Sequence, residues 1–165
     1  EVTRQRLSHR ARQYAALVSE AQDDARLLTV LTFDLGTERY AVDVMQVRGV
    51  RTLPHVTPVP GIPPFYRGVV NLRGQIITVM DLRIFFGLAA DDQKLPGELV
   101  IARAKDLELG LLTHHVRGVE SLSTQELEPL GDVRYARGVT ASRTVLLDIA
   151  AIFGDERLVI GGGDE

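Results

Sequence analysis

Two histidines stand side by side at His114 and His115, and paired histidines are what a metal centre or a general base would draw on. The spacing refuses that chemistry. On a strand, neighbouring side chains point to opposite faces, so the two cannot hold one metal. His9 and His55 lie in unrelated segments, and the chain has no cysteine, which removes disulfides and thiolate zinc sites and suits a reducing compartment. GxxxxGK[ST], GxSxG and HExxH are absent. Asp81 and Asp148 each precede a short apolar run and read as helix caps rather than as an acid/base pair. The expectation is a chain with no catalytic residue, no metal and no cofactor. A nucleic-acid barrel needs a basic face with aromatic stacking platforms. Here the net charge is −3, aromatics are 5% and Trp is absent, so no nucleic-acid partner is expected.

What the sequence does repeat is arginine beside glycine. QVRGVRTL spans 46–53 and HVRGVESL spans 115–122. Val47–Val50 matches Val116–Val119 at an offset of 69, Arg67–Val69 matches Arg137–Val139 at 70, and Asp81–Gly87 matches Asp148–Gly154 at 67. Landmarks in one order at nearly one spacing imply two copies of a supersecondary unit. The copies differ in one place. From Arg-Gly-Val to the capping aspartate is 14 residues in the first (67 to 81) and 11 in the second (137 to 148). The extra residues fall around Asn71, Leu72, Arg73 and Gly74. A scaffold does not need one hairpin longer than its twin, so this hairpin, with an arginine at its tip, is the first candidate for a functional feature. Arg143, near the matching hairpin, is expected to contribute little to binding.

The elements that position these residues follow from periodicity. Residues 1–35 hold neither Gly nor Pro, and apolar residues at 7, 11, 14, 18, 21, 25 and 28 form a helical stripe. Three of the seven are alanine, and arginines sit early while Glu20, Asp23 and Asp24 sit late, against the helix dipole. An accessory N-terminal helix is expected. LLTVLTFDL then reads as a strand, GTER as a hairpin turn and YAVDVMQVRGV as one further strand. PHVTPVPGIPPF carries five of the seven prolines and reads as an irregular crossing loop. RGVVNLRGQIITVMDL is a strand pair about a tight turn, and Asp81 opens a helical turn that stops at Gly87. The second copy replays this order, with SLSTQELEPLGD read as loop. About five short strands per copy suit two small β-barrels packed together, with strand sharing between them left open, because closure removes exposed edges. The 165 residues, 45% of them hydrophobic, are enough for such a core. The boundaries are an extension at 1–27, a domain at 28–160 with copies at 28–88 and 97–155, and a disordered tail at 161–165. No apolar run approaches the roughly 18 residues that span a bilayer, and no h-region follows the N-terminal arginines, so neither membrane insertion nor a secretory signal is expected. Residue 1 is Glu rather than Met, as expected of a trimmed chain.

FDLGTERYAVDVMQV, the proline-rich loop ending PPFYRGVVNLRGQIITVMDLRIFFGL, and GLLTHHVRGVESL together resemble the CheW-type coupling domain of bacterial chemotaxis, over roughly residues 28–158. RGVVNLRG…DLR is the most specific segment. The resemblance implies a mainly β fold of two intertwined five-stranded SH3-like barrels. It implies a non-enzymatic cytoplasmic adaptor bridging the cytoplasmic tips of chemoreceptors to a CheA-type histidine kinase at the inner membrane. It also implies a protein-binding role for Arg73 with Asn71, Leu72 and Gly74, and a groove between barrels lined or supported by Val47, Gly68, Val69 and Val119. The same resemblance fits the regulatory domain of a larger signalling protein, or an adaptor in a chemosensory system that does not control motility. Gly49 departs from the family where a glutamate is common, and Thr113-His114 where Val-Asp is usual.

Overall fold

A computed structural model describes residues 27–88, 95–131 and 134–158. The expected N-terminal helix and C-terminal tail lie outside the described residues, except that Leu27 and Leu28 already belong to a strand. Leu28 is thus the start of the sheet and not the last step of a helical stripe.

Ten strands are described: β1 Leu27–Leu35, β2 Glu38–Asp43, β3 Val47–Thr52, β4 Tyr66–Leu72, β5 Gln75–Met80, β6 Glu98–Ala104, β7 Leu107–Thr113, β8 His115–Ser123, β9 Ala136–Val139 and β10 Thr144–Leu147. Two helical turns, α1 Leu82–Phe85 and α2 Ile149–Phe153, follow β5 and β10. The strands form two five-stranded sheets, ordered β8-β1-β2-β10-β9 and β3-β6-β7-β5-β4, the two SH3-like barrels of the expectation. Each sheet takes two strands from one sequence copy and three from the other. Parallel pairing of β10 with β2 and of β5 with β7 closes the exchange. The two orders become identical when each strand is exchanged for its counterpart in the other copy, so the repeat read in the sequence is a real pseudo-symmetry.

YAVDVMQVRGV is not one strand. Asp43 ends β2, and its carboxylate accepts the N–H of Met45 (2.9 Å), capping a 3-10 turn at Val44–Gln46. That turn carries the chain out of one sheet and into the other. The alternation of Val42 and Val44 slips before Val47, but a slip of that size reads equally as a bulge within one strand. β8 also runs further than expected, to Ser123, because Leu27–Thr29 pair with Ser121–Ser123.

Strands that bury both faces explain the near-continuous apolar runs. In β6, Val100 and Ala102 face a core built from both sheets and both helical turns, while Leu99 and Ile101 join Val70, Ile77, Val79 and Leu112 in a cluster from one sheet alone. Val30, Ala41 and Leu146 form the counterpart in the other sheet. The largest core therefore lies between the barrels. Asp81 and Asp148 cap α1 and α2 through Arg83 N–H and Ala151 N–H, both at 3.0 Å, as the sequence implied.

Candidate functional site: the long hairpin and its supports

The β4–β5 hairpin pairs Gly68 with Val79, Val69 with Thr78, Val70 with Ile77, Asn71 with Ile76 and Leu72 with Gln75. Arg73 and Gly74 remain as a two-residue turn, both left-handed at φ 55° and 87°, which is the backbone that matches the strand twist in tight hairpins. Asn71 Oδ1 accepts the Gly74 N–H at 2.8 Å and fixes the tip. In the twin hairpin, Gly138 pairs with Leu146 and Val139 with Val145, and Thr140–Arg143 form a looser loop. The matched pairs are eleven positions apart in the first copy (68 to 79) and eight in the second (138 to 146). The extra length predicted from the sequence is thus a further stretch of paired strand ending in a tighter turn.

Asn71, Arg73, Gly74 and Gln75 are exposed. Leu72 is half-buried and packs on the cluster around Val70 and Ile77. Among the described residues no ion pair or hydrogen bond engages the Arg73 side chain. The fork is presented to solvent on a turn whose backbone is held by Asn71.

Gly68 and Val69 serve as supports. β4 carries a bulge at Arg67. Val69 and Thr57 exchange both backbone hydrogen bonds, at 2.8 and 2.9 Å, so the proline-rich loop is pinned to β4. A Cβ on Gly68, whose φ is 140°, would lie 2.2 Å from the Thr57 carbonyl oxygen. The second copy repeats the device: Arg137 is the bulge, Val139 exchanges hydrogen bonds with Glu128, and a Cβ on Gly138 would meet the Glu128 oxygen at 2.9 Å. The Arg-Gly pairs of the two Val-Arg-Gly-Val segments are bulges as well, at Arg48 against β6 and at Arg117 against β1. The motif that opened the repeat is bulge chemistry: the extra residue turns an arginine out while glycine takes the backbone distortion.

Val47 and Val119 fall on different sheets. Val47 starts β3 opposite Ala102 and packs half-buried on the main core. Val119 lies on β8 opposite Leu31 and is 60% exposed. The structure brings Asn71 to Gly74 together in one tip and places Gly68 and Val69 at its base. It does not join Val47 or Val119 to that tip through a shared cluster. Sequence reasoning passed over several exposed apolar side chains, among them Met45 at the crossing between sheets, Val50 on β3 and Ile76 on the hairpin. Val50 was within reach, because the offset of 69 that relates Val47 to Val116 relates Val50 to Val119.

The two family departures have local consequences. Open space surrounds Gly49, so a longer side chain would fit there. Thr113 is buried and donates to the Glu98 carbonyl. His114 sits between β7 and β8, where its Nδ1 accepts the Gly36 N–H (2.8 Å) and its own N–H donates to the Asp34 carbonyl (2.8 Å). It ties the β1–β2 turn to the second copy. Among the described residues no group of three His, Asp or Glu is placed to hold a metal ion, and no helix is long and apolar enough to cross a membrane.

The strand-exchanged pair of barrels thus presents, on a tight hairpin, an exposed arginine with no partner among the described residues. The chain belongs to the CheW-like domain family, which matches residues 29–157. It is 36% identical over 106 residues to the chemotaxis protein CheW of Thermotoga maritima, covering 64% of this chain and 70% of that one. It is 28% identical over 136 residues to the chemotaxis protein CheW of Rhizobium meliloti, covering 77% and 88%. Among solved structures, the scaffolding protein TtCheW from Thermoanaerobacter tengcongensis superposes with a TM-score of 0.68 at 25% identity, over 79% of this chain and 94% of that one.

Proposed function

We propose that the chain is a non-enzymatic cytoplasmic adaptor that couples chemoreceptors to a CheA-type histidine kinase in a signalling array at the inner membrane. The β4–β5 tip carries one of the contacts. The observation that supports this most is the coincidence of two features at one place, the break in the internal repeat and an exposed arginine with no partner among the described residues, within the segment that carries the resemblance most specifically. Arg73 supplies a planar fork for a carboxylate on the partner. The exposed aliphatics on β3 and β8, Val50 and Val119, offer apolar area for one face of a receptor helix. The test is reconstitution. Receptor-containing membranes and the kinase from the same organism are mixed with and without the protein, and kinase sedimentation and autophosphorylation are followed. The reading requires that the kinase join the membranes and respond to receptor ligand only when the protein is present. Kinase recruitment that is the same without it would overturn the reading.

A further inference from the structure

The β8-β1-β2-β10-β9 barrel carries a polar cleft of about 400 Å³, lined by Asp34, Gly36, Thr37, Glu38, Arg39, Arg117, Ser142 and Arg143. The adaptor reading makes no use of it. Arg117, the bulge residue of β8, places its Nε 2.9 Å from both oxygens of Asp34. Arg39, across the hairpin from Asp34, brings its own Nε to 3.5 Å of the same carboxylate. Burial pushes the Asp34 carboxyl up, but Arg117 and then Arg39 outweigh it and hold it below its ordinary value. Asp34 is therefore an ionised anchor already shared by two guanidinium groups. Arg143 reaches the same cleft from the β9–β10 loop. It is exposed, and no ion pair or hydrogen bond engages its side chain among the described residues. The Nη donors of Arg117 have no partner there either.

The pseudo-symmetry shows that the arrangement belongs to one barrel. Counting from the two-residue turns Gly36-Thr37 and Lys105-Asp106, the counterpart of Asp34 is Arg103 and that of Arg39 is Glu108. Arg48 and Arg73 stand where Arg117 and Arg143 stand here. The charges on the first hairpin are exchanged, so no aspartate clamps the bulge arginine of the other barrel.

We propose that this cleft binds the carboxylate of an exposed acidic side chain on a partner protein, at a contact separate from the Arg73 hairpin. Three guanidinium groups against Asp34 and Glu38 leave one positive charge, which selects an anion. The two resident carboxylates oppose a dianion, so a singly charged carboxylate fits better than a phosphate. The free fork of Arg143 with the Nη edge of Arg117 matches carboxylate geometry. The inference does not rest on the adaptor reading, and it gives Arg143 a role that the repeat alone did not suggest.

The experiment is an NMR titration of the full chain with a blocked hexaglutamate peptide, and in a separate arm with inorganic phosphate. The expected result is shifts centred on Gly36 to Arg39, Arg117, Ser142 and Arg143, with apparent affinity roughly tenfold weaker in Arg143→Glu and unchanged in Arg51→Glu, an exposed arginine of β3 in the other sheet. Arg143→Gly, which suits the left-handed backbone at φ 70°, should show the same loss and keeps the test open should the charge reversal disturb folding. Shifts centred on Arg48 and Arg73, peptide affinity unaltered in the Arg143 variants, or phosphate binding in the cleft more tightly than the peptide would each overturn the proposal.

Discussion

Arg73 occupies a left-handed position that glycine or asparagine usually fills. An L-residue there costs about 1–2 kcal/mol, so local folding does not explain its presence, whereas the proposed contact would. The energetic signature follows. Arg73→Gly removes the strain and should leave the fold as stable or more stable by about 1 kcal/mol. Arg73→Ala should stay within about 0.5 kcal/mol of wild type, as an exposed site does. Both should weaken kinase or receptor binding about tenfold or more, and Arg73→Lys should recover only part because a point charge lacks the planar fork. Denaturant midpoints and binding isotherms on the same preparations check this, and wild-type affinity in Arg73→Gly would remove the hairpin from the site. The hairpin tip at Arg73 was legible because the repeat breaks around it, and its binding role is the part that is proposed. Gly68 was chosen on the same stretch, yet the sequence could not say why it is glycine. The oxygen it must avoid belongs to Thr57, eleven residues earlier, and that approach exists only once the proline-rich loop is folded onto β4.

Among the elements, the bulges convert one motif into graded costs. Gly68→Ala drives a Cβ into a backbone oxygen at 2.2 Å with φ at 140°, and should destabilise by about 2–4 kcal/mol, summing overpacking and strain. Gly138→Ala meets its carbonyl at 2.9 Å and should cost less. Gly74→Ala has open space and only its φ of 87° to contend with, so about 1 kcal/mol is expected. Urea titrations of the three variants should rank them in that order; Gly74→Ala proving the worst would contradict the structure. A second element carries a pH dependence. The C-terminal 3-10 turn Glu156–Leu158 is anchored by Asp155, whose carboxylate accepts the Arg157 N–H (2.7 Å), Arg157 Nε (3.0 Å) and the Tyr135 hydroxyl. The Arg157 side-chain hydrogen bond leads, burial opposes it, and the net effect holds Asp155 below its ordinary 3.8. The stability it contributes is complete above about pH 3.8 and lost as pH falls through the lower folded value. Asp155→Asn should therefore lower stability at neutral pH and flatten the acid limb below pH 4; an unchanged limb would show that the anchor does not contribute. Most extended segments were legible, because period 2 and turn chemistry are local, but not every division between strands was. The crossing at Val44–Gln46 was not, since a single capped 3-10 turn leaves only a slip before Val47 that a bulge would leave as well.

For the whole molecule, the sequence carried the repeat but not its exchange. Offsets of 69, 70 and 67 reveal two copies, while nothing in them says that β1 pairs with β8 or that β10 lies beside β2. Those pairings are long-range and leave no periodic trace. They have a thermodynamic consequence. A half-chain of residues 27–88 holds β1 to β5, yet two of these belong to one sheet and three to the other. The half cannot complete either barrel, and it loses its share of the core that lies between them. The intact protein should therefore unfold in one transition, with calorimetric and van't Hoff enthalpies equal. Residues 27–88 and 95–158 made separately should each lack the cooperative transition, as fragments of this size bury too little surface. Mixed together they should reconstitute it, because each supplies the strands the other's sheets need. Two separate thermal transitions in the intact chain, or a half that folds cooperatively alone, would mean that the strand exchange does not hold the molecule together.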